Sequence, residues 1–398
     1  MSTETNTDLP VFPGDRDPRR PFDPAPEYAQ WRATDGLRRV NWHGQEVWAV
    51  SRYEDIKVAM TDPRVSADVP SQQAGGGANA PQVFPRMDDP EHARLRRMLT
   101  KDFTVRRVQA MRPEIERMAN NFIDEMISEG SPADLVQAYA LPIPSLVISL
   151  LLGVPYTDHR FFQDVTSVLM SRTATEEERL KANVAIFGYL TDLVAEKERE
   201  PDDALISRLV REYLATGELT RETIAMNGFI LLNAGHETTA NMIALGTLAL
   251  LENPDELARL RDTDDPKVVA NAVEELLRYL TIVHSLVARV AKEDIEIGGQ
   301  LVRAGEGLIM NLPAANRDPA FVGDPDGLDL DRNTRGHMAF GHGVHQCLGQ
   351  VLARAELEIA LPTLLRRLPD LRPAVPIEQI RFRNDMSIYG VHELPVAW

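Results

Sequence analysis

Residues 221 to 252 form the feature that most limits what this chain can become. The run RETIAMNGFILLNAGHETTANMIALGTLALLE has helical spacing, contains no proline and is apolar on most faces. At 1.5 Å per residue such a helix extends on the order of 45 Å. A helix that is apolar nearly all round has to be enclosed by other elements, so the chain must build a thick, largely helical body around it. One interruption stands out. From Gly235 to Thr239 the run turns polar, which costs free energy unless those groups find partners. A back-bond from Thr238 to the preceding turn is the simplest partner for a lone threonine.

Most of the remaining chain also has helical spacing. Asp88-Asp89-Pro90 starts a helix, with Ala93, Leu95, Met98 and Leu99 available to pack inward, and further helices are expected over 113–129, 158–170, 176–198 and 203–214. Leu37 to Ser51 alternates apolar and polar around a Gly turn and predicts a hairpin, and Ile295 to Met310 predicts a second short strand region. The fold class expected is therefore mainly α with a small β region. Gln73 to Asn79, with its GGG, and the Pro- and Asp-rich Asp318 to Arg332 are expected as loops.

No linker-like seam interrupts the 398 residues, so one domain over 1–398 is expected, with 1–28 as an extended tail at the surface. That tail is polar and proline-rich and lacks the basic-then-apolar order of a signal peptide. Leu141 to Val154 is apolar but is broken by Pro142 and Pro144, and it falls short of the roughly 20 residues a membrane span requires. It predicts a buried helix. A single cysteine excludes an internal disulfide framework and suits a reducing cytoplasm. The net charge of −17, from 43 basic and 60 acidic residues, opposes nucleic-acid binding. Against that balance, His92 to Arg112 holds Arg94, Arg96, Arg97, Lys101, Arg106, Arg107 and Arg112 with one acid, Asp102.

The cysteine lies in Phe340-Gly341-His342-Gly343-Val344-His345-Gln346-Cys347-Leu348-Gly349, directly before an amphipathic helix. A thiol at a helix N-terminus meets exposed N–H groups and the positive end of the dipole, which favour thiolate. Gly341, Gly343 and Gly349 allow close backbone approach to a flat group. Two other readings compete locally: a small buried thiol, and zinc held among His337, His342, His345 and Cys347. A c-type haem attachment is excluded because Cys-x-x-Cys-His is absent.

Glu275 and Arg278 stand three apart on a predicted helix, where an exposed pair contributes only about 0.2–0.5 kcal/mol. The apolar arc of that helix, Val269, Ala272, Val273, Leu276, Leu277 and Leu280, points away from both. Periodicity alone therefore predicts a surface pair.

The pattern Phe-Gly-x-Gly-x-His-x-Cys-x-Gly at 340–349 resembles the haem-binding signature of the cytochrome P-450 superfamily. Glu275-Leu276-Leu277-Arg278, Ala234-Gly235-His236-Glu237-Thr238-Thr239 and Asp88 to Arg96 resemble its other segments in the same order. The resemblance implies the P-450 fold, with a long central helix, around haem b (iron protoporphyrin IX) whose iron is bound by Cys347. It implies that Glu237 and Thr238 handle water and protons for dioxygen. His92, Arg96, Arg289 and His345 would hold the propionates, and Glu275, Arg278 and Arg332 would form a buried network bracing the cysteine loop. It implies a pocket near Val83, Phe84, Asn233, Ala234, Val283, Leu286, Val287 and Ile388 for a mostly apolar small molecule, such as a macrolide, polyketide, steroid-like or xenobiotic compound. Electrons would come from NAD(P)H through a reductase and a ferredoxin or flavodoxin, for which the Arg94–Arg112 cluster offers a docking patch.

Two rivals accompany that reading. Asn241 to Gly246, Leu301 to Gly307 and the tail from Pro369 to Val396 also resemble the nitric oxide reductase branch, which takes electrons directly from a nicotinamide cofactor. That branch lacks the acid at the position of Glu237. A haem sensor or carrier without catalysis would not need the Glu237–Thr238 pair.

Overall fold

The computed structural model describes residues 9–69 and 83–398. The glycine loop expected between Gln73 and Asn79 lies outside the described residues. The chain divides into two compact units, one made of the chain up to Arg94 with Asp264–Leu348, the other of Leu95–Thr263 with Gly349–Trp398. The chain thus changes unit at residues 94, 263 and 348, and this interleaving leaves no linker composition to be read.

In the first unit the predicted hairpin forms from strands Leu37–Trp42 and Gln45–Val50, with Leu37 opposite Val50 and Trp42 opposite Gln45. Its two-residue turn, His43 and Gly44, takes positive φ of 52° and 78°, the backbone twist that tight hairpins favour. Gln45–Val50 then pairs in parallel with Gly307–Met310, which pairs antiparallel with Ala288–Ala291, and Val65–Ser66 closes the five-stranded sheet. Alternate residues face two apolar clusters: Val47, Ala49 and Ile309 join one, while Val50, Leu308 and Met310 join the other. The period of two in the sequence is what divides them. The N-terminal segment is extended but anchored. Phe12 is 2% exposed within the first cluster, and Phe12 N–H donates to Asn41 O at 2.8 Å.

The helix Pro266–Leu280 of this unit departs from its periodicity. Its apolar arc is buried as expected, yet Glu275 and Arg278 on the other side are each 0% exposed. Periodicity alone therefore misplaces the pair; a buried position is what the resemblance at Glu275-Leu276-Leu277-Arg278 implies. The polypeptide between Asn316 and Arg332 folds over that face and supplies the polar partners that make burial tolerable.

The second unit is built around the long helix, Arg221–Leu251, whose N-cap Thr220 accepts a hydrogen bond from Thr223 N–H. Helices Pro142–Leu152, Glu176–Arg199 and Gln350–Arg367 pack against it, and from Ala240 to Leu250 its side chains are buried all round. The helix expected to begin at Pro113 begins at Val105 and runs to Glu129 with the proline inside. Thr104 caps it by accepting from Arg107 N–H, and Val108, Ile115 and Met118 make one buried face across the proline. The segment expected as one helix over 203–214 is Leu205–Leu209 followed by a wider π turn, Val210–Leu214. Among the described residues no helix is long and apolar enough to cross a membrane.

Candidate active site

The cysteine loop is held from within the first unit. Met338–Phe340 and Gly343–His345 each form a single tight turn, and Cys347 N–H donates to Phe340 O at 2.9 Å, closing the loop. Gly343 has φ +70°, and a Cβ there would lie 2.8 Å from the carbonyl oxygen of Met60. The loop can therefore lie on the helix Tyr53–Thr61 only without a side chain at that point. Cys347 is exposed. Three residues later the helix Gln350–Arg367 begins, with Gly349 at its N-cap and no side-chain cap, leaving its first N–H groups unmet by a side chain.

A chain of hydrogen bonds connects this loop to the buried pair. Arg278 uses all five of its N–H donors: Nε and Nη2 reach Glu275 at 2.7 and 2.8 Å, Nη1 reaches Asn316 O at 3.0 Å and Pro325 O at 2.7 Å, and Nη2 also reaches Gly327 O at 3.1 Å. Glu275 further accepts from Arg332 Nη1 at 2.9 Å and from Asp329 N–H at 3.1 Å. Asn316, whose backbone accepts from Arg278, accepts Met338 N–H on its side chain at 2.6 Å. The route thus runs Glu275, Arg278, Asn316, Met338, Phe340, Cys347. Beside it, His337 accepts from Ala339 N–H at Nδ1, 3.1 Å, so Nε2 carries the hydrogen and donates to Glu274 at 3.1 Å. Both nitrogens of His337 are thereby committed, which removes it from the zinc reading. Among the described residues no three of His, Cys, Asp and Glu are grouped to hold a metal ion.

Around the same unit lie three of the expected anion-binding groups. His92 is buried and its ring stands 4.0 Å from that of His345, centroid to centroid. His92 Nδ1–H donates to Asp89 at 3.2 Å. Arg289, on the strand Ala288–Ala291, is 6% exposed and forms no ion pair among the described residues; its Nη1 donates to Ala288 O at 2.7 Å. Burial pushes its guanidinium down to about 10, with Asp88 opposing. Arg96 is half-buried four residues after His92, on the same face of the helix Glu91–Thr100.

In the second unit the polar interruption of the long helix is satisfied residue by residue. Thr238 Oγ1–H donates to Ala234 O at 2.7 Å, the back-bond that its sequence position suggests. His236 is buried, with Nδ1 2.9 Å from Leu232 O and Nε2 2.9 Å from Thr166 Oγ1. Glu237, 5% exposed, faces Arg383 at 2.9 Å and accepts from Asn241 at 3.2 Å. Sequence reasoning missed Arg383, Asn241, Asn316 and the Glu274–His337 brace. Asn241 lies one helical turn after Glu237 and could have been found from that spacing; the others come from segments far off in the chain.

The expected pocket residues scatter in exposure. Phe84 and Ile388 are buried, Val83, Asn233, Val283 and Val287 are half-buried, and Ala234 and Leu286 are exposed. Val283 and Val287 pack on the apolar cluster of the first unit, and Asn233 Oδ1 is a buried acceptor with no partner among the described residues.

A sequence model of the Cytochrome P450 family matches residues 33–380. Cytochrome P450-SU2 of Streptomyces griseolus is 54% identical to this chain over 411 residues, covering 100% of both. The chain belongs to the cytochrome P450 family. Vitamin D3 dihydroxylase of the same organism is 45% identical to this P450, covering 100% of it and 99% of the relative. The solved structure of mycinamicin VIII C21 methyl hydroxylase from Micromonospora griseorubida, bound to mycinamicin VIII, matches with a TM-score of 0.92 at 40% identity, covering 98% of this chain and 100% of that one. P450 enzymes are oxidoreductases of the monooxygenase class; they use haem b and dioxygen, with electrons from NAD(P)H passed through redox partners.

The residues present fit a haem. A guanidinium in a desolvated position with no ion pair among the described residues, Arg289, is the partner a buried propionate requires, and the neighbouring rings of His92 and His345 add hydrogen-bonding nitrogens. An exposed thiol ahead of an uncapped helix start, on a loop that excludes side chains, suits a thiolate ligand to iron.

Proposed function

We propose that this P450 hydroxylates or epoxidises a bulky, mostly apolar small molecule, using electrons from a ferredoxin-type partner. One observation carries the reading: an acid, Glu237, stands beside an alcohol, Thr238, in the middle of an otherwise apolar helix, the acid paired with Arg383 and the alcohol bonded to the carbonyl of Ala234. A haem sensor has no use for that pair, and the nitric oxide reductase branch lacks the acid.

When bound, the haem supplies a thiolate-ligated iron at which dioxygen is activated. Cys347 would provide the thiolate, while the route from Glu275 and Arg278 through Asn316 keeps its loop from shifting. Arg289, His92, His345 and Arg96 would neutralise and orient the propionates. Thr238 spends its only hydrogen on Ala234 O, so its oxygen is left with acceptor capacity only. Glu237 would take protons from water and pass them on towards that acceptor.

Two relatives bear on substrate class. One is named for vitamin D3 and another is bound to mycinamicin VIII, and the half-buried apolar side chains of Val83, Val283 and Val287 suit molecules of that bulk. Asn233 Oδ1, left without a partner, favours a substrate that also carries a hydroxyl or N–H. On the electron-donor side, much of the basic cluster is engaged within the chain: Arg94 pairs with Glu91, Lys101 with Glu212 and Arg112 with Glu358. Arg97 and Arg106 are exposed and form no ion pair among the described residues, so they are the strongest contacts for an acidic ferredoxin. An acidic chain with one cysteine and bacterial relatives fits work in the cytoplasm.

The test is the carbon monoxide difference spectrum of the reduced protein, followed by Soret titrations with mycinamicin VIII and vitamin D3. A thiolate-type Soret band and a substrate-induced shift are expected. Zinc in place of haem would overturn the reading, and NADH-driven nitric oxide reduction without a ferredoxin would move the protein to the rival branch.

A further inference from the structure

The C-terminal segment brings a cation to the acid of the long helix. Residues 381–392 form a narrow hairpin: Phe382 and Val391 make an antiparallel bridge, Arg383 N–H donates to Gly390 O at 2.9 Å, and His392 N–H donates to Arg381 O at 2.8 Å. Ser387 N–H to Met170 O, 3.0 Å, and Arg172 N–H to Asp385 O, 2.7 Å, tie the hairpin to the end of the helix His159–Met170. The backbone of Arg383 is thus held without any help from its side chain.

That side chain reaches Glu237, Nη2 to Oε2, at 2.9 Å, and both side chains are nearly enclosed, 11% and 6% exposed. Asn241 donates to the same Oε2 at 3.2 Å and to Glu237 O at 2.7 Å. Two donors therefore converge on one carboxylate oxygen, while Oε1 makes no hydrogen bond among the described residues. The hairpin also fixes Asn241, because a Cβ on Gly390 would fall 1.9 Å from Asn241 Oδ1. Arg383 itself is under-used. Its Nε is buried without a partner, in contrast to Arg278, which spends all five donors on a bidentate, closed network. A guanidinium with a single contact is a poor structural lock, but it suffices to fix which oxygen of a carboxylate is engaged.

We propose that Arg383 is a positioning residue for proton delivery: with Asn241 it anchors Oε2 of Glu237 and so reserves Oε1 for exchange. A proton arrives at Oε1 from water and leaves from Oε1 to the next acceptor; Arg383 neither gains nor loses one. The inference rests on Glu237 acting as a proton relay.

The experiment uses the haem-loaded enzyme and needs no substrate. Dithionite-reduced protein is mixed with air-saturated buffer in H2O and in D2O, and the return of the ferric spectrum is timed for the parent, Glu237→Gln, Arg383→Gln, Arg383→Lys and the Glu237→Gln/Arg383→Gln double variant. Melting temperatures of the same proteins give a second, activity-free cycle. Expected are a slowing by about a hundredfold in Glu237→Gln and in Arg383→Gln, no further slowing in the double, most of the parent rate in Arg383→Lys, and melting losses that are less than additive. If Glu237→Gln slows the return and Arg383→Gln does not, the inference is overturned while the relay stands. If Glu237→Gln is itself without effect, the relay falls and the inference with it. Additive melting losses would also overturn it, since the two side chains would not be acting on each other.

Discussion

Arg278 and Glu275 share two hydrogen bonds, 2.7 and 2.8 Å long, with both side chains at 0% exposure. Neither charge sees water, and the pair is tolerable only because every guanidinium N–H has an acceptor.

Arg278→Lys keeps the charge but replaces a five-donor fork by three donors, leaving buried acceptors unmatched. Breaking a buried pair costs about 3–5 kcal/mol. We expect a loss of that size in urea denaturation and purified protein that carries little haem. A variant within 1 kcal/mol of the parent, by the same scale, would show that the network is dispensable.

Arg289 is a base whose folded value lies below its ordinary one, because burial pushes it down to about 10. The unfolded chain then holds the proton more tightly. Below about pH 10 the protonated group therefore opposes folding until an anion is seated beside it. Arg289→Met should make the haem-free protein at pH 7 as stable as the parent or more so, while the haem-loaded protein loses haem faster to apomyoglobin. Equal haem-loss rates would argue against a propionate contact.

Gly343→Ala places a methyl group 2.8 Å from Met60 O, at a φ of +70°. The backbone strain alone is about 1–2 kcal/mol, and relief would come from moving the cysteine loop. The expected outcome is a reduced carbon monoxide spectrum that loses its thiolate-type band. Retention of the parent spectrum would mean the loop absorbs the change elsewhere.

Glu356, on the helix Gln350–Arg367, is 2% exposed with Oε2 unpartnered, and burial holds its carboxyl well above the usual range. Here the folded state keeps the proton that the unfolded chain releases. Stability from this group is full below the ordinary value of 4.5 and declines as pH rises above it. Glu356→Gln, which cannot ionise, should be more stable than the parent at pH 8 and nearly equal at pH 4 in urea melts. A constant difference across that range would show that ionisation of Glu356 plays no part.

Local pattern carried much of this protein. Hydrophobic period marked the long helix and the hairpin, and the glycines and cysteine of 340–349 marked a loop closing at a helix start, because these depend on residues close together in the chain. The same reasoning misread Glu275 and Arg278. Helical periodicity shows which face is apolar, but it cannot show that a distant segment will cover the polar face and supply carbonyls to it.

Thr238 illustrates the division most clearly. Its back-bond to Ala234 is an i to i−4 contact and was readable from position alone. The partners of its neighbour Glu237 were only half readable, since Asn241 is one turn away whereas Arg383 is nearly 150 residues on. What the sequence determined by itself was short-range: element type, cap, turn and motif. The tertiary structure alone decided which charges are buried and which donors meet them, because those energies depend on desolvation and on contacts between segments that share no local pattern.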